Sequence, residues 1–537
     1  MKISLKEKRL EEKRLLTEHK TRRDAYKDSF TEMIAVMFSR QMDTKYVIHC
    51  GKTNSGKTYQ AIQALKSNGS GAYLAPLRLL AWEIYDKLNQ DGYACSLVTG
   101  EEQIDKADAP YVSSTIEMLD YSRAYDTVVI DEAFYIGDKD RGKSWLKAIL
   151  ECKAREVHII VNEEALTMVE NILKLTKRIF EVKRYEMLQQ FKFSSQVLTL
   201  GKNHPLPKGG VFVTFSRIGA LIFKMKLEKL NYRVSILYGN LPPEVKKKQI
   251  ESFINGETDL MVCTDVIGAG VNVPANYLVF IETSKYDGIS NRRLLPMEVR
   301  QIAGRCGRYG LSSKDSFVTA MSKADVAYIT QAYRMNTTVD MSYLGFDFNM
   351  FSVFPKDFTV EQRVKAFREI DFIPIQLKKY ITKESISKYL ELADFVDKKE
   401  FTLDVKWAFL TAPVKKNNMH YFQSCIRNYV HNGMILPPST QVDYYEIQNV
   451  EDNISEIELY MNLTRTLNHD VVVKDKMKAT KERLTEKLQT MLLDKKLSHN
   501  KKCKLCSEYI SIADPYQYCG ECYETKVRTS YSNNWWS

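Results

Sequence analysis

Residues 51–58 read Gly51-Lys52-Thr53-Asn54-Ser55-Gly56-Lys57-Thr58, the spacing of a loop that wraps phosphate oxygens. Gly51 and Gly56 let backbone amides approach without side-chain obstruction, and Thr53, Asn54 and Ser55 complete the cradle. Lys57 is placed to contact β- and γ-phosphates, and the Thr58 hydroxyl to coordinate Mg²⁺. Downstream, the pair Asp131-Glu132 ends the apolar run Val128–Ile130. At the end of a buried strand beside such a loop, Asp131 would hold Mg²⁺ through water and Glu132 would orient and deprotonate an attacking water. Much further on, Arg305 and Arg308 follow Gln301, three apart and so on one side of a helix or turn. Their guanidinium groups could stabilise charge developing on a transferred phosphoryl group, with Gln301 helping to orient the water. Gly304 and Gly307 keep the segment slim enough to approach a nucleotide. Loop, carboxylates and arginines together predict hydrolysis of a nucleoside triphosphate in a cleft that opens and closes.

A second constellation lies near the C-terminus, Cys503-x2-Cys506-x12-Cys519-x2-Cys522. Two close cysteine pairs can present four thiolates to one ion, and this spacing suits tetrahedral Zn²⁺ in a closed, structural site. Basic Lys501, Lys502 and Lys504 and aromatic Tyr509, Tyr516, Tyr518 and Tyr523 surround it. They could bind nucleic acid or a protein partner, although a small zinc module also needs its aromatics as a core. The other cysteines, Cys50, Cys95, Cys152, Cys263, Cys306 and Cys425, are scattered through apolar runs and read as reduced core thiols rather than a disulfide framework.

The elements that must position these groups follow from patterning. Short apolar runs alternate with helical stretches from Tyr46: Tyr46–Cys50, Ala72–Ala75, Ser96–Thr99, Tyr111–Ser114, Thr127–Ile130 and Val157–Val161. Near-continuous apolar strands between helices mean a parallel sheet covered on both faces. After Pro- and Gly-rich punctuation at Lys202–Gly210, a second series runs through Val211–Phe215, Val234–Tyr238, Leu260–Cys263, Tyr277–Ile281 and Phe317–Ala320. The class is therefore α/β, two tandem parallel-sheet units. Beyond about residue 335 the pattern turns helical, with Leu484, Leu488, Met491 and Leu492 on one amphipathic face. The chain has 537 residues, with 78 basic against 67 acidic for a net +11, compatible with a polyanionic partner. No apolar stretch reaches about 18 residues, so no membrane span is expected. The charged N-terminus lacks an apolar core and carries Glu7, Glu11 and Glu12, which predicts an intracellular, cytoplasmic chain.

These residues resemble superfamily-two helicases. Gly51–Thr58 is similar to motif I, Asp131-Glu132-Ala133-Phe134 to the DExH/D box, Thr264–Asn272 to motif V and Gln301–Arg308 to motif VI. More narrowly, the chain resembles the Suv-three type RNA helicases of the mitochondrial degradosome and their bacterial relatives. The likeness lies in Thr53–Tyr59, Ala75–Ala81, Val98–Glu102, Thr115–Met118, Tyr238–Pro243, Lys285–Gly288 and Ala412–Val414. Two departures stand out. Phe134 replaces the usual His or Asp, and Val161–Glu164 occupies the place of a Ser-Ala-Thr segment. No adenine-reading glutamine motif precedes the phosphate loop, which leaves base selectivity open.

The resemblance implies two RecA-like domains, at 41–200 (ATP binding) and 201–335. A charged helical segment at 1–40 precedes them; a helical region at 336–495 and a zinc module with tail at 496–537 follow. It implies that Pro76, Leu77, Arg78, Thr99, Gly100, Thr115 and Glu117 face a nucleic-acid strand in the first domain. Phe215, Ser216 and Arg217 would do so in the second, with Thr264, Asp265 and Gly268 contacting the strand or coupling it to ATP. The implied activity is ATP-driven movement on single-stranded or tailed nucleic acid, RNA preferred, 3′ to 5′, by a monomer. A mitochondrial matrix location follows only by family analogy. A DNA helicase, a remodelling translocase and a non-catalytic RNA-binding scaffold are the alternatives that the motifs leave.

Overall fold

The computed structural model of the chain describes residues 26–38, 43–100, 102–201, 205–269, 273–287, 290–307, 315–440, 446–467, 473–493, 500–503, 505–506, 508–511 and 518–522. Arg308, Gly270, Asn272, Gly288, Glu101, Lys504, Tyr516, Tyr523 and all but 26–38 of the charged N-terminal segment lie outside them, as does the tail from 523.

The first sheet holds eight strands. They are β1 (Lys45–Gly51), β2 (Gly71–Ala75), β3 (Cys95–Val98), β4 (Gln103–Ile104), β5 (Tyr111–Thr115), β6 (Ala124–Ile130), β7 (Lys153–Val161) and β8 (Phe180–Tyr185). Their spatial order is β4-β3-β5-β2-β6-β7-β1-β8. Only the β3–β4 pair is antiparallel. The alternation of side chains sorts the apolar residues onto two faces. Tyr73 and Ala75 of β2 pack with Ala61, Ile62 and Leu65 of the helix Lys57–Ser67 and with Ile84 and Leu88 of the helix Arg78–Gln90. Ala72, Leu74, Ile48 and Ile130 face the other way, onto Trp145 and Ile149 of the helix Gly142–Glu151 and Val169 of the helix Glu163–Leu175.

The second sheet comprises β9 (Lys192–Phe193), β10 (Gly210–Val213), β11 (Val234–Leu237), β12 (Leu260–Cys263), β13 (Tyr277–Phe280) and, beyond the hairpin β14 (Ser284–Tyr286)–β15 (Asn291–Arg293), β16 (Phe317–Ala320). Its order is β11-β12-β10-β13-β16-β9, parallel throughout. The chain thus leaves the first sheet at Tyr185 and joins the second at Lys192, so the Pro- and Gly-rich stretch falls within the second unit.

Beyond Arg334 come the helices Phe348–Ser352, Val360–Glu369, Ser387–Val396, Leu403–Leu410, Met419–Asn432, Ile447–Thr466 and Lys474–Leu493. A short parallel pair, β17 (Ser342–Leu344) with β18 (Ile381–Lys383), lies among them, an element the helical pattern of the sequence hid. Leu484, Leu488, Met491 and Leu492 are buried, as their spacing required. No described helix is long and apolar enough to cross a membrane. At the C-terminal end, β19 (Asn500–Lys502) and β20 (Tyr509–Ser511) form an antiparallel hairpin beside the four cysteines.

Candidate active site

β1 ends at Gly51, where a Cβ would fall 2.7 Å from the Tyr185 carbonyl oxygen and 2.9 Å from Ser55 Oγ. Only glycine fits there. Gly56, at φ +78°, opens the helix Lys57–Ser67 without any side-chain cap, so the first amides of the helix stay available to an anion. Lys57 is buried and donates to the Lys52 carbonyl at 3.0 Å. Burial lowers its pKa, opposed by the charges of Glu132 and Asp131. Thr58 is half-buried at the second position of the same helix, and the buried Ser55 Oγ has no hydrogen-bond partner among the described residues.

The carboxylate pair sits at the end of β6, which is separated from β1 by β7. Asp131 and Glu132 are therefore one strand removed from the loop rather than on the adjoining strand, yet close enough for both to act on Lys57. Asp131 is held from every side: Oδ1 accepts from the Glu132 amide at 2.7 Å, Oδ2 from the Tyr73 hydroxyl, and its carbonyl from Trp145 Nε1 at 2.9 Å. Burial, with the Glu132 charge adding to it, pushes the Asp131 carboxyl up to about 7. Glu132 takes φ +46°, the left-handed region, which costs a non-glycine residue about 1–3 kcal/mol and turns its side chain out of the strand line. Phe134 is buried against Tyr135, ring centroids 4.5 Å apart.

The second lobe reaches this site through the end of the helix Pro296–Ala303. A Cβ on Gly304 would come within 2.7 Å of Thr53 Cβ, so the slimness expected of that glycine is used against the phosphate loop itself. Arg305, 4% exposed, donates from Nη2 to the Gly268 carbonyl at 2.9 Å and to Glu132 Oε1 at 3.3 Å. Asn54 Nδ2 donates to the Gly307 carbonyl at 2.9 Å. Gln301 Nε2 and Arg305 Nε are buried without hydrogen-bond partners among the described residues. Asp265 instead pairs with Lys285 at 2.9 Å, in its own lobe.

The residues expected to touch a strand are largely engaged elsewhere. Thr99 Oγ1 donates to the Glu102 carbonyl at 3.1 Å in a local turn, and Ser216 caps the helix Arg217–Lys229. Arg141 donates to the Pro76 carbonyl at 2.6 Å and to Glu117 at 2.8 Å. Thr115 and Thr264 are buried. One helix, Ile447–Thr466, accounts for much of the rest. Its Glu451 pairs with Arg217 at 2.9 Å and accepts from the Tyr238 hydroxyl, and its Glu458 lies 3.8 Å from Arg78. Its Arg465 donates to the carbonyls of Thr99 at 3.1 Å and Gly100 at 2.7 Å. Arg217 is thus packed into a junction between lobe and helix. The sequence reading missed Glu451, Glu458 and Arg465, because nothing local marks a charged helical residue as a tertiary partner.

Comparison with known proteins matches the DEXQ-box helicase domain of Suv3 to residues 35–185 and the helicase conserved C-terminal domain to residues 183–310. The ATP-dependent RNA helicase SUV3 of Candida albicans is 37% identical over 304 residues, 55% of this chain and 42% of that protein. The DExH-box ATP-dependent RNA helicase DExH16 of Arabidopsis thaliana is 31% identical over 386 residues, covering 71% of this chain and 67% of that one. The ATP-dependent RNA helicase SUV3 of Oryza sativa subsp. japonica is 30% identical over 449 residues, 79% and 76% respectively. The chain spans less than half the length of the yeast relatives, 42% and 37%. These relatives are all named mitochondrial, where the sequence reading expected a cytoplasmic chain and allowed the mitochondrial matrix by family analogy. With both domains matched in order and the plant relatives covered over most of their length, the chain belongs to the Suv3 family of DEXQ-box helicases.

Proposed function

We propose that the chain is an ATP-dependent RNA helicase whose two RecA-like lobes share one triphosphate site. The observation that carries this is the crossing of the cleft by Arg305 to Glu132, with Gly304 set against Thr53 of the phosphate loop. The loop amides and Lys57 bind the phosphates, Glu132 orients and deprotonates the water, and Gln301 and Arg305 approach from the second lobe. Arg308 belongs to the same proposal on sequence alone.

Mg²⁺ fits this site. A buried carboxylate whose pKa stands near 7 is one whose charge wants a cation, and Asp131 with the Thr58 hydroxyl would hold the ion. The ion would neutralise charge on the β- and γ-oxygens. The four cysteine sulfurs lie within 4.8 Å of one another. Zn–S bonds of about 2.3 Å put tetrahedral thiolates ~3.8 Å apart, so the set suits a closed Zn²⁺ site. The Cys503 amide donates to the Glu508 carbonyl at 2.8 Å, which shapes the first knuckle. We assign this module a docking role, for nucleic acid or a protein partner.

RNA as substrate rests on the names of the relatives, and 3′-to-5′ movement on the motif resemblance. Strand displacement on RNA and DNA duplexes with either a 3′ or a 5′ overhang tests both. The expected result is ATP-dependent separation of 3′-tailed RNA. Displacement confined to DNA, or none despite ATP hydrolysis, would overturn the RNA helicase reading.

A further inference from the structure

Arg300 precedes Gln301 in the helix Pro296–Ala303 and reaches across the joint between the lobes. Its Nε donates to Glu164 Oε1, in the first lobe. Its Nη1 donates to the Met335 carbonyl and its Nη2 to Thr337 Oγ1, both on the segment leading from the second sheet toward the helical region. Glu164 ties the same segment from the other side, its carbonyl accepting from the Val339 amide at 2.8 Å. Side-chain exposures are 17% for Arg300 and 10% for Glu164, so this is a largely buried ion pair.

Glu164 is itself well placed. It stands in the first turn of the helix Glu163–Leu175, which begins directly after β7 and is capped by Asn162, whose Oδ1 accepts from the Ala165 amide at 3.1 Å. β7 is the strand between the phosphate-loop strand and the carboxylate strand, so Glu164 shares a rigid frame with Lys57 and Glu132. One helical turn separates Arg300 from Gly304, whose amide bonds to the Arg300 carbonyl at 2.9 Å. The second-lobe segment 300–307 therefore meets the first lobe at Thr53, Asn54 and Glu132, around the phosphate loop and its carboxylate, and separately at Glu164, one helical turn back. The contacts around the loop locate the segment, and the Arg300–Glu164 pair, set apart from them, fixes its tilt.

Resting on the helicase reading above, we propose that Glu164 is a positioning residue for hydrolysis. Acting through Arg300, it sets the angle at which Gln301 and Arg305 meet the phosphates, and it passes that angle to the segment 335–339. A misplacement of about 1 Å in such an arrangement slows the chemical step without altering how the loop holds ATP.

The test is steady-state ATP hydrolysis by the full chain with single-stranded RNA, for wild type, Glu164→Gln, Glu164→Asp and Arg300→Lys, alongside thermal melts. Glu164→Gln should lower kcat about tenfold while KM for ATP moves less than about twofold, and Glu164→Asp should recover most of the loss. Arg300→Lys keeps the charge but cannot serve Glu164, Met335 and Thr337 together, and should show the same split even if Glu164→Gln folds poorly. A lowered melting temperature with unchanged kcat in the variants would overturn the positioning role alone. A wild-type chain that does not hydrolyse ATP would overturn the helicase reading and this proposal with it.

Discussion

Arg305 is held between two oxygens of different origin, Glu132 Oε1 of the first lobe at 3.3 Å and the Gly268 carbonyl of its own lobe at 2.9 Å. The carbonyl keeps the guanidinium aimed into the cleft, and Glu132 is the group that a γ-phosphate would displace or share. Arg305→Ala should leave ATP binding intact and slow RNA-stimulated hydrolysis by roughly 10³-fold, the scale of a guanidinium on a phosphoryl transition state. Nucleotide binding by fluorescent ATP titration and turnover by phosphate release separate the two. Unchanged turnover would remove Arg305 from the site.

Lys57 lies with its ammonium on the Lys52 carbonyl, inside the loop it is to serve. Lys57→Ala should abolish stimulated hydrolysis, a loss of at least about 100-fold, with an unchanged circular dichroism spectrum. The substitution also relieves the burial that depresses the pKa of this lysine, so the melting temperature should not fall.

Asp131 gives a pH prediction with a definite sign. Its folded pKa is raised to about 7 from an ordinary carboxylate value. Between those values the folded chain holds a proton that the unfolded chain has lost, so the cost of the buried carboxylate grows as pH rises and is complete above about pH 7. Without nucleotide or Mg²⁺, Asp131→Asn should therefore melt higher than wild type, with the largest gain at pH 8 and a smaller one at pH 5.5. An equal gain at both values would show that Asp131 is not the titrating group. Hydrolysis should be lost in this variant at every pH.

The candidate nucleotide site was legible in the sequence because the geometry it needs is set by backbone and spacing. Gly51 must lie against the Tyr185 carbonyl, Gly304 must lie against Thr53, and no other residue types meet those demands. The alternation of apolar runs gave the inner strands of both sheets because those are largely buried on two faces, whereas the partly exposed edge strands β4, β8 and β9 carry no such run. The surroundings of the residues expected to touch a strand were less legible. Arg78, Arg217, Thr99 and Gly100 meet partners on the helix Ile447–Thr466, hundreds of residues away, and Glu451 and Glu458 look from sequence like solvated positions on an ordinary charged helix. Tyr73, inside an apolar strand, gave no sign that its hydroxyl serves Asp131.

The cysteine module is joined to the described chain through Lys474–Leu493, with residues 494–499 between. Metal coordination would replace much of the core that so small a unit lacks. Strong chelation should expose only the last ~40 residues to protease and release about one Zn²⁺ per chain, leaving hydrolysis by the lobes unchanged. Loss of zinc with no change in proteolysis of that segment would argue against a structural site.

Arg217 separates two roles that sequence cannot. A strand contact would make Arg217→Ala reduce the salt dependence of RNA binding by about one unit of slope. Its place opposite Glu451 predicts otherwise. Glu451 is buried, its pKa raised chiefly by desolvation, and Arg217 is the cation that answers its charge beside the Tyr238 hydroxyl. Removing the guanidinium leaves that carboxylate in the junction without a counter-ion, a change that costs about 3 kcal/mol in buried pairs. Arg217→Ala should therefore lower the melting temperature, while the logarithmic slope of RNA affinity against salt stays as in wild type. The triple variant Arg217→Met/Tyr238→Phe/Glu451→Leu should recover most of the stability, because an apolar set of similar volume leaves neither a buried charge nor the Tyr238 hydroxyl without a partner. A changed salt slope with an unchanged melt would return Arg217 to the strand.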